Sequence, residues 1–271
     1  MARFCSLKEA VAASLKGGET VALEGFTHLI PFAAAHEIIR QEVRDLTLIR
    51  MTPDLVYDQL IGMGCARKLV FSWGGNPGVG SLHRLRDAVE RSWPRPLSIE
   101  EHSHAALASA WAAGAANLPF ATLRAYRGTG LPEVNRAIGT VTCPFTGERL
   151  AAVPALRPDV GIVHAQRADK KGNVLLEGIV GVQKEVVLAS QVSIVTVEEL
   201  VDDLKAPSLN SVVLPGWAID HIVVAPRGAA PSYTHGYYGR DNAFYRAWDA
   251  ISRERESFQV WMQENVMEAA A

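Results

Sequence analysis

The sequence predicts an α/β fold, an open and mostly parallel sheet flanked by helices. Two observations carry that expectation. Short β-type runs alternate with helical stretches through the first hundred residues, the β-α-β-α rhythm of a doubly wound sheet. Residues 141–181 then hold two apolar runs, AAVPAL and VGIVHA, a polar turn, ADKKGN, and a third apolar run, VLLEGIVG. Buried strands with charged, glycine-bearing tips are how such a sheet presents loops for chemistry at one edge.

Each element has its own signal. Leu7 to Leu15 reads as a helix, with Ser6 as N-cap and Gly17-Gly18 as the stop. Thr20 to Leu23 reads as a buried strand entering the turn Glu24-Gly25-Phe26-Thr27, and Pro31 suits the first turn of a helix through Arg40. Leu46 to Arg50 is the next strand, and Thr52-Pro53-Asp54 starts the next helix. Leu69 to Trp73 is a third strand, feeding a glycine-rich loop and a helix from Ser81 to Arg91. Trp93-Pro94-Arg95-Pro96 breaks the chain. Leu97 to Glu101 is short and strand-like, and Ala105 to Ala116 is helical. Residues 121–140 read as loop-rich, with Gly128, Gly130, Pro132 and Gly139. Strands return at Val160–His164, Val174–Leu176, Val192–Val197 and His221–Ala225, and Asp241 to Met267 reads as one or two helices. With no linker and no internal repeat, residues 1–271 read as a single domain.

Composition narrows the function. The 271 residues are 48% hydrophobic and 21% charged, with a net charge of −2. That is an ordinary globular balance without a nucleic-acid footprint. No run reaches the roughly 18 apolar residues of a membrane span. Cys5, Cys65 and Cys143 are isolated, so a reduced, cytoplasmic protein is expected. His28, His36, His83, His164, His221 and His235 are scattered without ligand spacing, and no metal site is expected.

Four places could carry chemistry. Gly25-Phe26 ends a strand, where a glycine lets a ligand or another backbone approach closely. It could equally be a plain turn. Gly74-Gly75-Asn76-Pro77-Gly78-Val79-Gly80 joins a strand to a helix, and backbone amides there could bind an anion such as a pyrophosphate. The loop matches neither a Walker A nor a GxGxxG pattern. Glu100-Glu101-His102-Ser103-His104 gathers two acids and two histidines for acid–base or nucleophilic work, although Ser98 or Ser103 could simply cap the helix. Glu177 is a lone carboxylate in an apolar run, more readily an interface or core hydrogen-bonding group than a catalyst.

The ordered series of motifs resembles the α subunit of family I CoA-transferases of the glutaconate type. The series comprises the Gly25-Phe26 turn, Val141-Thr142-Cys143-Pro144-Phe145, Ala168 to Gly178 and Thr196-Val197-Glu198-Glu199-Leu200. It continues through His221 to Ala229 and Tyr238-Gly239-Arg240-Asp241. The family signature at the first strand is an apolar triplet, Gly-Gly-Phe, and then a Gly and a Pro. Here Glu24 replaces the first Gly, the downstream Gly is absent and Pro31 comes one residue early.

The resemblance implies a CoA-transferase, isomerase-like fold whose partner is a homologous β subunit. It implies CoA thioesters and small carboxylic acids as substrates, with no permanently bound cofactor. The glutamate that becomes a glutamyl-CoA thioester would come from β, while α shapes the acyl pocket. In ring-opening hydrolases of the same kind, an α-subunit Glu near the position of Glu101 matters. Glu101 is therefore the expected catalytic residue of this chain. Gly25, Phe26, Gly74, Gly75, Asn76, Gly78, His102 and Ser103 are the expected substrate-binding set. On that view Gly25→Val abolishes activity while the complex still assembles. Two alternatives stand beside the transferase: a C–C or thioester hydrolase, and a non-catalytic sugar-phosphate-sensing module. The last usually carries a DNA-binding segment, which this sequence does not show ahead of its first helix.

Overall fold

The computed structural model describes residues 2–76, 79–204 and 208–268. The strands are β1 (Arg3–Phe4), β2 (Thr20–Glu24), β3 (Leu46–Ile49), β4 (Ala66–Phe71), β5 (Ser98–Glu101), β6 (Phe120–Leu123), β7 (Gly139–Thr142), β8 (Arg149–Pro154), β9 (Val160–Asp169), β10 (Val174–Glu177), β11 (Val192–Val201), β12 (Ser211–Leu214) and β13 (His221–Val224). The helices are α1 (Leu7–Ser14), α2 (Phe32–Arg40), α3 (Leu55–Gly62), α4 (His83–Arg91), α5 (His104–Ala115), α6 (Leu131–Val134), α7 (Gln183–Ala189), α8 (Asn242–Arg253) and α9 (Arg255–Met262).

Among the described residues the main sheet runs β1-β13-β11-β9-β2-β3-β4-β5, with every pair along that path parallel. A hairpin adds β10 antiparallel to β9, and β12 pairs with β10. The expected open, mostly parallel sheet is present. Both of its faces are covered, as a parallel sheet requires. Val21, Leu23, Leu46, Leu48, Leu69, Val160, Ile162 and Ile194 point into one core with α1 to α4, α8 and α9. The alternate residues Ala22, Ile49, Val70, Val163 and Val195 point into a second core with α5, α7 and the β10–β12 strands.

Local chemistry explains the helix starts. Ser6 caps α1 in a reciprocal box with Glu9, the Glu9 carboxylate accepting from the Ser6 N–H at 2.8 Å. Ser103 caps α5, its hydroxyl accepting from the Ala106 N–H at 3.2 Å. On the outer face, Asp58 of α3 accepts from the Leu85 N–H at 2.8 Å and from the Trp248 indole at 3.0 Å, tying α4 and α8 to α3.

The loop-rich stretch 121–140 carries three short elements that the sequence reading did not resolve, β6, α6 and β7, and β6-β8-β7 form a small antiparallel sheet beside α5. The expected strands at Val174–Leu176 and Val192–Val197 are present as β10 and β11, with α7 between them. The ADKKGN turn joins β9 to its antiparallel neighbour β10. Asp169 closes the turn on itself, accepting from the N–H groups of Lys171 and Asn173 at 2.9 Å. Gly172, at φ +87°, lies against Ala2, Gly216 and Ile222.

Candidate functional site

The strands β2, β3, β4 and β5 are parallel neighbours, so their carboxyl ends line one edge of the sheet. Ligands of open α/β sheets bind beyond such an edge. The sequence-predicted residues around Gly25, Gly74 and Glu101 all follow these strands.

Gly25 is fixed by packing. A Cβ there would sit 2.5 Å from the Leu29 carbonyl oxygen and 2.8 Å from that of His28. The turn beyond it is strained, since Thr27 and Leu29 both adopt positive φ, 62° and 55°. Phe26 stays 39% exposed at its tip. The turn is held from outside by Ser232, whose hydroxyl donates to the Thr27 carbonyl at 3.0 Å, and by the Leu29 N–H, which donates to the Tyr233 carbonyl at 2.9 Å. A cavity of about 540 Å³ opens beside it, lined in part by His28, Glu177, Ile179, Tyr233 and His235. Glu177 itself is half-buried and lies 3.9 Å from Arg167.

Beneath the turn sits a buried ionic cluster that sequence reasoning missed. Glu24 accepts from the Met51 N–H at 2.9 Å, and Arg50 pairs with Asp54 at 2.9 Å while donating to the Gly25 carbonyl at 3.1 Å. All three side chains are almost wholly shielded from water. Burial pushes the Glu24 carboxyl up to about 7, against the attraction of Arg50. The unfolded value is near 4.5. The folded state therefore binds the extra proton, and the stability gained below the unfolded pKa is lost as pH rises through 7. Glu24→Gln is expected to melt like the wild type near pH 4.5. By pH 8 it should be more stable by roughly 3 kcal/mol. Thermal melts across that range check this.

The glycine-rich loop is occupied by its own protein. Asn76 is buried and donates to the Tyr245 carbonyl at 2.8 Å, anchoring the loop to α8. Asp249 of α8 accepts from the Ser81 N–H at 3.3 Å and from His83 at 2.9 Å. An internal carboxylate thus stands where an anionic ligand would meet the start of α4. Gly74 has ordinary clearance around it, whereas a Cβ on Gly75 would meet the Trp73 ring at 2.7 Å. Gly78 lies outside the described residues.

The structure separates the two acids at the end of β5. Glu100 is paired with Lys68 at 2.6 Å and with His102 at 2.9 Å. The bond from His102 does most to hold Glu100 down at about 2, against burial. Glu101 is exposed, and its backbone carbonyl accepts from the Asn135 amide at 2.6 Å. Both acids line a cavity of about 420 Å³ with Lys68, Asn135 and Arg136. His102 is buried, and Ser103 is spent on the cap of α5. Ser72 links the loops after β4 and β5 through His104 Nδ1 at 2.9 Å.

A second buried network is centred on Glu198, within the second half of β11. Glu198 accepts from His164 at 2.8 Å, from Tyr238 at 2.6 Å, from Thr234 at 3.1 Å and from the Arg227 N–H at 2.7 Å. Burial opposes its ionisation, but the bonds from His164 and Tyr238 outweigh it and hold Glu198 at about 2. This network moors the 227–240 segment, and so Tyr233, against the Gly25 turn. Among the described residues no group of three or more His, Cys, Asp or Glu side chains could hold a metal, and no helix is long and apolar enough to cross a membrane.

Comparison with known proteins agrees with this arrangement. The chain is 65% identical, over 98% of its length and 94% of the relative, to one of the subunits of 3-oxoadipate CoA-transferase from Pseudomonas knackmussii. It is 29% identical, over 95% of its length and 88% of the relative, to the cholesterol ring-cleaving hydrolase IpdA subunit of Rhodococcus jostii. It superposes on the crystal structure of glutaconate coenzyme A-transferase from Acidaminococcus fermentans with a TM-score of 0.91 at 31% identity, covering 98% of this chain and 89% of that one. The family profile described as "Coenzyme A transferase" matches residues 4–225. With that match spanning most of its length, and the parallel sheet and strand-tip edge in place, the chain belongs to the coenzyme A transferase family and is a CoA-transferase subunit.

Proposed function

We propose that this chain is the α-type subunit of a two-subunit CoA-transferase that passes CoA between an acyl-CoA and 3-oxoadipate or a closely similar dicarboxylic acid. The observation that supports this reading most is the 65% identity to one chain of a 3-oxoadipate CoA-transferase, along nearly the whole of both sequences. Residues 1–271 act as one CoA-transferase unit, and its three free cysteines suit a reducing cytoplasm.

The chemistry proposed is covalent. A glutamate carboxylate from the partner attacks the acyl-CoA carbonyl and expels CoA thiolate, leaving a mixed anhydride. The thiolate then attacks the glutamyl carbonyl of that anhydride. The first acid leaves as its carboxylate, and CoA stays on the glutamate as a thioester. The acceptor carboxylate runs the same two steps in reverse. This chain supplies the Gly25-Phe26 turn, Gly74, Gly75 and Glu101 as the wall facing the acyl group. Asn76, His102 and Ser103 hold their loops in place. Glu101 is the proposed catalytic group of this chain because its neighbour Glu100 is already committed to Lys68 and His102.

The test is to combine the chain with its partner and follow CoA appearing on 3-oxoadipate against free acid released to water. Transfer supports the reading, whereas release of acid without transfer overturns it in favour of a hydrolase. The purified chain alone is expected to show no transfer, and full activity without a partner would overturn the two-subunit reading.

A further inference from the structure

We propose that Glu24, Arg50 and Asp54 are positioning residues that fix the peptide plane between Gly25 and Phe26, and through it the rate of CoA transfer. The inference rests on the reading that this turn faces substrate.

The geometry has three parts. Arg50 is 1% exposed, and its guanidinium forks between the Asp54 carboxylate at 2.9 Å and the Gly25 carbonyl at 3.1 Å. A point charge cannot make both bonds in one plane, but a guanidinium can. Glu24 stands one residue before Gly25 and takes the Met51 N–H at 2.9 Å, locking the end of β2 to the backbone beside Arg50. Tyr57 of α3 closes the cluster from below. Its hydroxyl meets the Leu23 N–H at 3.1 Å and the Ile49 carbonyl at 2.8 Å, and the Arg50 guanidinium lies over its ring.

The consequence follows from the planarity of the peptide group. A trans peptide sets its carbonyl and the next N–H on opposite sides. With the Gly25 carbonyl drawn down to a buried guanidinium, the Phe26 N–H points away from the cluster. Three ionisable side chains are buried to hold one carbonyl. A fold that needed only packing would place apolar groups there at lower cost. The strained residues Thr27 and Leu29 follow directly, so the turn has little freedom to find this orientation unaided.

The experiment uses the assembled two-subunit complex and reads kcat and KM separately. Glu24→Gln keeps an oxygen to accept the Met51 N–H and is expected to stay within about threefold of wild type. Glu24→Ala loses that acceptor and is expected to lower kcat about tenfold with KM within about twofold. Wild-type kcat in the Ala variant overturns the proposal, and so does an equal loss in both variants. If Glu24→Ala does not assemble, Arg50→Lys decides. It can pair with Asp54 but cannot fork to Gly25, and a kcat drop of about tenfold is expected. Unchanged kcat there, or failure of both variants to assemble, makes the cluster a folding element only and overturns the proposal. Should the wild-type complex itself move no CoA, the functional reading fails separately. Amide exchange across residues 25–29 then still tests the clamp, with faster exchange expected in Glu24→Ala than in Glu24→Gln and equal exchange overturning it.

Discussion

A Gly25→Val chain is expected to lose its activity by losing the fold of its turn. The sequence suggested a subtler outcome, an intact complex that shuts out substrate. The packing forbids it. A Cβ at position 25 meets backbone atoms of His28 and Leu29 at 2.5 to 2.8 Å, and backbone cannot swing aside as a side chain can. Leu29 is also strained and tied to Tyr233. Forcing the turn open should cost about 3 kcal/mol or more, with Arg50 losing the Gly25 carbonyl as well. Denaturant unfolding of the complex checks this, and a wild-type midpoint would refute it. Substrate contact is better tested at Phe26, which is exposed at the tip of the turn. Phe26→Ala should leave stability unchanged and still reduce transfer.

The second large effect is expected at Glu101. Replacing it with Gln separates the two enzyme readings: turnover of the assembled complex should fall roughly 100-fold where Glu101 is the acid–base group of a hydrolase, and should stay within a few-fold in the transferase, whose covalent carboxylate is the partner's. Glu100→Gln is the control. Its carboxylate is held by Lys68 and His102, so its loss should appear as about 1 kcal/mol of local stability while turnover stays within a few-fold. Gel filtration confirms assembly in both cases. A Glu101→Gln complex within a few-fold of wild type would leave the catalytic carboxylate wholly to the partner.

The central strands were legible because each is buried on both faces and reads as an unbroken apolar run, as in Val160 to His164. The small sheet was not legible. Its strands β6 and β7 lie half in water and carry Thr, Gly and Ala, so neither an apolar run nor a clean alternation marks them. Ser103 was recognised as a cap because that chemistry is local. The Arg50 cluster escaped because strand pairing, not spacing, brings Glu24 to Met51. Glu24 in place of the family's glycine was the one available hint. The Gly74–Gly80 loop looked ready for an anion because the carboxylate that answers it, Asp249, comes from 168 positions further along the chain.

The order of strands also dictates when the edge can exist at all. During synthesis, β2 to β5 emerge together and can pair at once, but β2 keeps one side open until Val160 to Val163 of β9 arrive. β1 waits longer still, for His221 and Ile222. A ribosome-bound chain halted between β5 and β9 therefore displays the bare flank of an apolar central strand, the kind of surface that pairs wrongly with a neighbour. Pulse-labelling of stalled nascent chains would show the β2 amides that face β9 becoming protected only after residue 163 has left the exit tunnel, later than those that face β3.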